Sequence, residues 1–270
     1  MYILLAVDGT FSATHYNTGT NRSFVRRFFD RFSGGYKVFF EGPASAPGFD
    51  VDNIIRRADR AIRQAIRHGA SEPELKICLV GHSRGGHIVT DIAMRLNRLR
   101  LPDVLPGAGR PSPRPPTGTR LLVHDPLSAP MLHAQVAHRA SNANDSTPTL
   151  RVHFMGLYDS VDMTWNGGDT MTIPPNIDWY AHAMRDPAIG SRSSWGNTSN
   201  DILCSERHRT RFFGGTHGAL GGAPAEHCSA EWAVVADQCR LNLRAGDNAA
   251  AGRRAHDFIL DHARAAQVPI

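Results

Sequence analysis

Two kinds of hydrophobic pattern run through the chain: short unbroken apolar runs, and longer stretches whose apolar residues recur on one helical face. The first run, Tyr2–Val7, is closed by Asp8-Gly9-Thr10 and predicts a buried strand followed by a turn. Further runs predict strands at 36–40, 75–80, 120–124, 150–157 and 210–213. Over 52–68, Ile54, Ala58, Ala61, Ile62, Ala65 and Ile66 share one face while Arg56, Arg57, Arg60, Arg63 and Arg67 share the other, which predicts a surface helix with a solvated arginine side. Asp52 is expected to cap its start and Gly69 its end. Helices are also predicted over 23–32, 86–99, 225–243 and 253–266. The dense Pro and Gly of 102–118 predict a surface loop. The polar, Gly- and Pro-punctuated stretch 166–207 predicts a long loop or cap-like insertion.

Apolar runs that do not alternate, separated by helices, predict a mainly parallel sheet covered by helices on both faces. We therefore expect one α/β domain over residues 1–270, with no internal repeat. At 270 residues such a domain buries a large core and needs no disulfide or metal to hold it. Cys78 lies in an apolar run and is expected to pack as a small hydrophobe. Cys204, Cys228 and Cys239 show no CxxC spacing and leave open either a disulfide or ordinary core positions. A zinc set of Cys204, His208 and His227 fits no familiar ligand spacing, so no metal is expected.

Composition narrows the function classes. With 41% hydrophobic and 20% charged residues the chain is a globular one. The net charge of +5 comes almost wholly from scattered arginines, Lys37 and Lys76 being the only lysines, so nucleic acid is not an expected partner. Peripheral contact with an anionic membrane surface stays open. The N-terminal apolar run is short and lacks a basic leader, and no stretch approaches a membrane span. A soluble protein without a cleavable leader is expected, cytoplasmic or exported by a leaderless route.

The candidate chemistry begins at Gly81-His82-Ser83-Arg84-Gly85, a G-x-S-x-G set directly between a predicted strand and a predicted helix. That context predicts the nucleophile elbow of the α/β-hydrolase fold, in which Gly81 and Gly85 relieve clashes around a tight turn. Ser83 is then the candidate nucleophile, with the Arg84 backbone N–H facing a developing oxyanion. A serine hydroxyl needs a base, itself held by a carboxylate, in the chain order Ser, acid, His. Asp125 and Asp159 both follow predicted strands. With the elbow strand counted as the fifth, Asp159 follows the seventh, the usual acid position, and is preferred over Asp125. His217, in Gly-Gly-Thr-His-Gly after the last strand, is the candidate base, its glycines expected to let the ring reach Ser83. His82, His124 and His227 are its rivals, His82 being expected to point away from the serine.

With these residues in place, the chain resembles the type VI secretion lipase effectors and their relatives, a large family of bacterial and fungal α/β-hydrolases. Val7-Asp8-Gly9-Thr10 with Thr20-Asn21 is similar to the family's DGT…TN start, and Gly81 to Gly86 to its GxSRGA elbow. Gly156-Leu157-Tyr158-Asp159-Ser160-Val161 is similar to its G-V-W-D-T-V, and the stretch from Phe213 to Gly222 to its F-P-G-x-H-x-D-V-G-G. Residues 179–186 are more loosely similar to its HALALDE stretch. The resemblance implies Ser83, Asp159 and His217 as a triad, an ester or phospholipid substrate, and a second oxyanion N–H from the Gly9-Thr10 turn. Acyl transfer to water through these three residues requires no metal or organic cofactor. Two other functions stay open: a carboxylesterase or thioesterase for small acyl groups, and a hydrolase-fold binding module without turnover. Trp165, Met171, Ile173, Ile177, Trp179 and Tyr180 could form an apolar acyl channel for a lipase or could cover the core.

Overall fold

The computed structural model describes residues 1–15, 17, 21–44, 50–69, 74–99, 150–161, 172–189, 197–199, 201–223 and 244–270. Strands β1 (Tyr2–Val7), β2 (Tyr36–Phe40), β3 (Lys76–His82), β4 (Val152–Tyr158), β5 (Ile177–Arg185) and β6 (His208–Phe213) form one six-stranded sheet. Its order is β2-β1-β3-β4-β5-β6 and every pair is parallel. The helices are α1 (Ser12–His15), α2 (Phe24–Arg31), α3 (Val51–His68), α4 (Arg84–Asn97), α5 (His217–Leu220) and α6 (Ala245–Ala265). The α/β class expected from the apolar runs is the class observed.

β1 shows why these runs become central strands. Ile3 to Val7 are all fully buried, with Ile3, Leu5 and Val7 packing into one core and Leu4 and Ala6 into the other. The first core is closed by Ile54, Ala58 and Ile62 of α3 and by Ile88 and Ile92 of α4. The second is closed by Phe24 and Phe28 of α2 and by Ile259 and Ala263 of α6. A strand buried on both faces needs apolar residues at both parities, hence the absence of alternation.

The sequence missed one strand. β5 lies inside the stretch expected to be a loop or cap, yet it joins β4 to β6 in the body of the sheet. Its run Ile177-Asp178-Trp179-Tyr180-Ala181-His182-Ala183-Met184 is flanked by Pro174-Pro175-Asn176 and Asp186-Pro187, and the flanking breakers obscured an apolar core. Of the residues left open between an acyl channel and core cover, those described pack in the cores. Ile177 and Tyr180 are core residues, Ile173 packs beside them, and Trp179 packs against the opposite core. Trp165 and Met171 lie outside the described residues, as do the predicted strand 120–124, the predicted helix 225–243 and the 102–118 loop.

Helix ends differ in detail. α3 begins at Val51 with Asp50 as N-cap, so Asp52 sits in the first turn and is not the cap. Asp50 Oδ2 accepts the Ala44 N–H at 2.9 Å, tying the preceding loop rather than the helix. Gly69 does end α3, with an ordinary negative φ of −86°. α6 starts well before 253, because Ala249, Ala250 and Ala251 carry helix propensity without a long apolar stripe. Among the described residues no helix is long and apolar enough to cross a membrane.

Both cores are close-packed, so truncation is expected to register sharply. Ile62→Ala, fully buried between α3 and the sheet, is expected to cost about 2–5 kcal/mol in denaturant unfolding. Ile202→Ala, at 64% exposure, is expected to leave the midpoint within the error of the wild type.

Candidate active site

The chain order β1, β2, β3 places β2 and β3 on opposite sides of β1, so successive crossovers leave in opposite directions at β1/β3. In open parallel sheets, sites form outside the carboxyl ends of the strands beside such a switch. The carboxyl end of β1 carries Asp8-Gly9-Thr10, that of β3 carries Ser83, that of β4 carries Asp159, and β6 leads into His217.

Ser83 is the N-cap of α4 with φ 56° and ψ −129°, a conformation side-chain-bearing residues seldom adopt. The turn is held from three sides. The Ser83 N–H donates to the Tyr158 carbonyl at 3.1 Å, and its own carbonyl accepts from Gly86 at 3.0 Å and Val161 at 3.2 Å. A Cβ on Gly81 would lie 2.5 Å from the Gly85 carbonyl oxygen, and one on Gly85 would lie 2.2 Å from that of Val7. The glycines therefore serve close backbone approach, as the sequence suggested, and Gly85 makes that approach to β1. Gly86 was not singled out by sequence, yet a Cβ there would lie 2.4 Å from Ser160 Oγ.

Asp159 is the first residue after β4 and also has a positive φ, 41°. Its N–H donates to the Ala183 carbonyl of β5 at 2.7 Å. Oδ1 accepts from the Arg185 N–H at 3.0 Å and from Asn197 Nδ2 at 3.3 Å. Oδ2 accepts from Arg185 Nη1 at 2.7 Å and from His217 Nδ1 at 2.7 Å. Burial alone would push this carboxyl up, but the His217 and Arg185 partners outweigh it and hold Asp159 well below the usual carboxylate range.

His217 opens the short helix α5, which Thr216 caps by accepting the Ala219 N–H. Asn248 of α6 clamps the cap, its Oδ1 accepting the Thr216 N–H at 2.8 Å. His217 Nε2 stands 2.9 Å from Ser83 Oγ. Because the ionised Asp159 can only accept, Nδ1 carries the proton and Nε2 is left to accept the Ser83 hydroxyl. Two glycines of this loop allow close approach, while Gly214 has open space around it. A Cβ on Gly215 would meet that of Ala251 at 2.9 Å, and one on Gly221 would meet the His82 ring at 2.2 Å.

The structure thus brings Ser83, His217 and Asp159 into one buried hydrogen-bonded line. Asp125, His124 and His227 lie outside the described residues. The strand count behind the choice of Asp159 does not hold, however. β4 is the immediate sheet neighbour of β3, so Asp159 follows the strand next to the elbow strand, and β5 stands between it and β6. Of the expected oxyanion donors, the Gly9 N–H is already given to Asp8 Oδ1 at 2.8 Å. The Thr10 N–H has no acceptor among the described residues, and Arg84 Nη1 reaches Thr10 Oγ1 at 3.2 Å. A Cβ on Gly9 would lie 3.1 Å from that of Ser83, so this turn packs directly on the elbow.

Four features escaped the sequence reading. Arg185, at the end of the missed strand, is 6% exposed and ion-paired with Asp159. His82 does not reach Ser83, but it stacks on His217 with ring centroids 5.0 Å apart and donates from Nε2 to the His217 carbonyl at 3.4 Å. Asp8 is fully buried behind it, Oδ1 lying 3.9 Å from His82 Nδ1, and accepts from Ser23 Oγ and from Asn17 Nδ2 at 3.0 Å. Burial drives Asp8 up to about 6 against these hydrogen bonds. On the other side, His182 Nε2 accepts the Ser160 N–H at 3.1 Å, fixing the residue after Asp159. No residue pattern on one strand could have announced these pairs, since each partner comes from a different element.

Among the described residues no cluster of His, Cys, Asp and Glu could hold a metal ion. Compared with known proteins, the sequence matches no family model and no curated relative.

The buried histidines make stability fall with acid. Burial pushes His82 and His256 down to about 3 and His182 to about 4, from an ordinary 6.5. The unfolded chain takes up these three protons below pH 6.5 and the folded protein does not, so stability is lost as pH falls. Asp8, raised from 3.8 to about 6, binds its proton in the folded state and opposes the loss by one proton between those values. Asp159 adds to the loss only below 3.8. The net is about two protons, a loss of roughly 2–3 kcal/mol per pH unit near pH 5. Thermal melts from pH 7 to 4 are expected to show Tm falling steeply below 6.5, and a flat Tm across that window would contradict the burial of these rings.

Proposed function

We propose that this protein is a serine hydrolase that cleaves carboxylic esters by acyl transfer to Ser83 and then to water. The observation that carries the reading is the unbroken line Ser83 Oγ, His217 Nε2 at 2.9 Å, and Asp159 Oδ2 at 2.7 Å from His217 Nδ1. The hydrogen-bond partners suit the role the chemistry asks of each group. Asp159 is an acceptor, it fixes the imidazole tautomer, and the bare Nε2 receives the serine proton.

His217 takes the Ser83 proton as Oγ attacks the ester carbonyl carbon. The backbone N–H groups of Arg84, at the start of α4, and of Thr10 are the proposed donors to the oxyanion, each worth about 10²–10³ in rate. The imidazolium returns the proton to the leaving alcohol. Water, deprotonated in turn by His217, attacks the acyl carbonyl carbon, and the imidazolium returns that proton to Ser83 Oγ as the carboxylic acid leaves. A parallel sheet with a strained serine between strand and helix supports an α/β-hydrolase fold as its frame.

Within this class, the phospholipid or lipase reading rests on the four ordered motifs that resemble the lipase-effector family. The described part of 166–207 supplies sheet core, which favours testing small esters and thioesters alongside lipids. Turnover of an ester series from acetyl to palmitoyl, and of phosphatidylcholine vesicles, should be lost in Ser83→Ala by about 10⁴-fold or more in kcat. Long-chain and vesicle turnover supports a lipase, and activity confined to short chains a small-ester hydrolase. Labelling of wild-type Ser83 by a fluorophosphonate should fail in Ser83→Ala. Absence of both labelling and turnover would leave a binding module without catalysis.

A further inference from the structure

We propose that Arg185 is a positioning residue that keeps Asp159 ionised and at the same time tempers it, making His217 a weaker base than an unneutralised carboxylate would. The inference rests on the reading of Ser83 as nucleophile and deepens it by assigning what sets the working pH of the site.

The argument starts from the sheet. Tyr158 at the end of β4 pairs with Ala183, so Asp159, one residue on, meets the last turn of chain at the end of β5. There Arg185 gives Asp159 both its backbone N–H, to Oδ1 at 3.0 Å, and its guanidinium, to Oδ2 at 2.7 Å. Oδ2 is the oxygen that also accepts from His217 Nδ1. A lone acid partner would place a full negative charge against the imidazole. Here a fixed positive charge sits on the same oxygen, and at 6% exposure it is scarcely screened by solvent.

Among the described residues, the other groups facing this line do not cancel that effect. His82, from β3, stacks on His217 and is held neutral by burial. His182, from β5, is also held neutral and binds the Ser160 N–H. Asp8, at the end of β1, is separated from His217 by the His82 ring, and the Arg84 guanidinium is directed to Thr10 Oγ1. Asn197 contributes only a neutral donor to Oδ1. Among the described residues Arg185 is therefore the charge that opposes Asp159 at His217, and it acts there through Asp159.

The test is the pH dependence of kcat/KM for a short-chain ester and of fluorophosphonate labelling, for wild type, Arg185→Gln, Arg185→Met and Arg185→Lys. Loss of the positive charge makes His217 more basic, so the acid limb should move to higher pH in the Gln and Met variants. On that limb, activity relative to each protein's own plateau should fall about tenfold. Arg185→Lys keeps a charge but draws it back from Oδ2, so its limb should move the same way by less. If the neutral variants do not fold, the Lys profile decides. A limb unmoved in every folded variant, with only the plateau lowered, would overturn the proposal and leave Arg185 a structural partner. A wild type that is neither labelled nor active at any pH would instead overturn the serine-nucleophile reading.

Discussion

A fully buried carboxylate is the constraint around which this end of the sheet is built. An ionised carboxyl taken out of water costs several kcal/mol unless donors replace its hydration. Asp159 has four: two from Arg185, one from Asn197 and one from His217. Those donors come from β5, from the segment after it and from the α5 turn, so meeting the demand of one side chain fixes the relative position of three elements. His217 is oriented as a by-product: with Nδ1 committed to Asp159, its ring presents Nε2 to Ser83. Removing Asp159 would take from the His217 ring the acceptor of its Nδ1 proton and from Arg185 the carboxylate that both its backbone N–H and its guanidinium meet.

Much of this was legible in the sequence, for reasons that differ by residue. Ser83 was legible because its glycines are demanded by backbone approach, a local effect that leaves a local pattern. β1, β3 and β4 were legible because strands buried on both faces cannot hide their composition. β5 is buried in the same way, but Asp178 and His182 interrupt its run and Pro174, Pro175 and Pro187 crowd its ends. The missed strand had a second consequence. Counting strands led to Asp159 through an order the sheet does not follow, and what joins Asp159 to His217 is their contact, which a count cannot supply. Arg185 was invisible for the same reason, since nothing in the stretch 179–186 says that a strand two places from the elbow ends beside Asp159.

The histidines show how one environment yields different roles. His82, His182 and His217 are all buried near the carboxyl ends of the central strands. His82 and His182 each commit Nε2 to a backbone group, the His217 carbonyl and the Ser160 N–H, and remain neutral. His217 alone of these three places its ring between a carboxylate and a hydroxyl, so a proton arriving at Nε2 is met by charge on the far side. Burial by itself makes a histidine inert; what distinguishes a base is the ionised partner that burial forces to be satisfied.

Two of the three residues in the line, Ser83 and Asp159, hold positive φ values, each worth about 1–3 kcal/mol of strain. The strain is stable because the two turns brace each other. Ser83 donates to the Tyr158 carbonyl, the peptide group that leads directly into Asp159, and its own carbonyl accepts from Val161 just beyond. Gly86 lets Ser160 into contact with the first turn of α4, so neither turn can relax without displacing the other. β3 and β4 being neighbours in the sheet is what makes this bracing possible. An acid at the end of β5, one strand farther from the elbow, would stand beside β6 but would lack the Tyr158 carbonyl that locks the elbow. The short path from Ser83 to Asp159 through the backbone is thus as much a part of the site as the hydrogen bonds through His217.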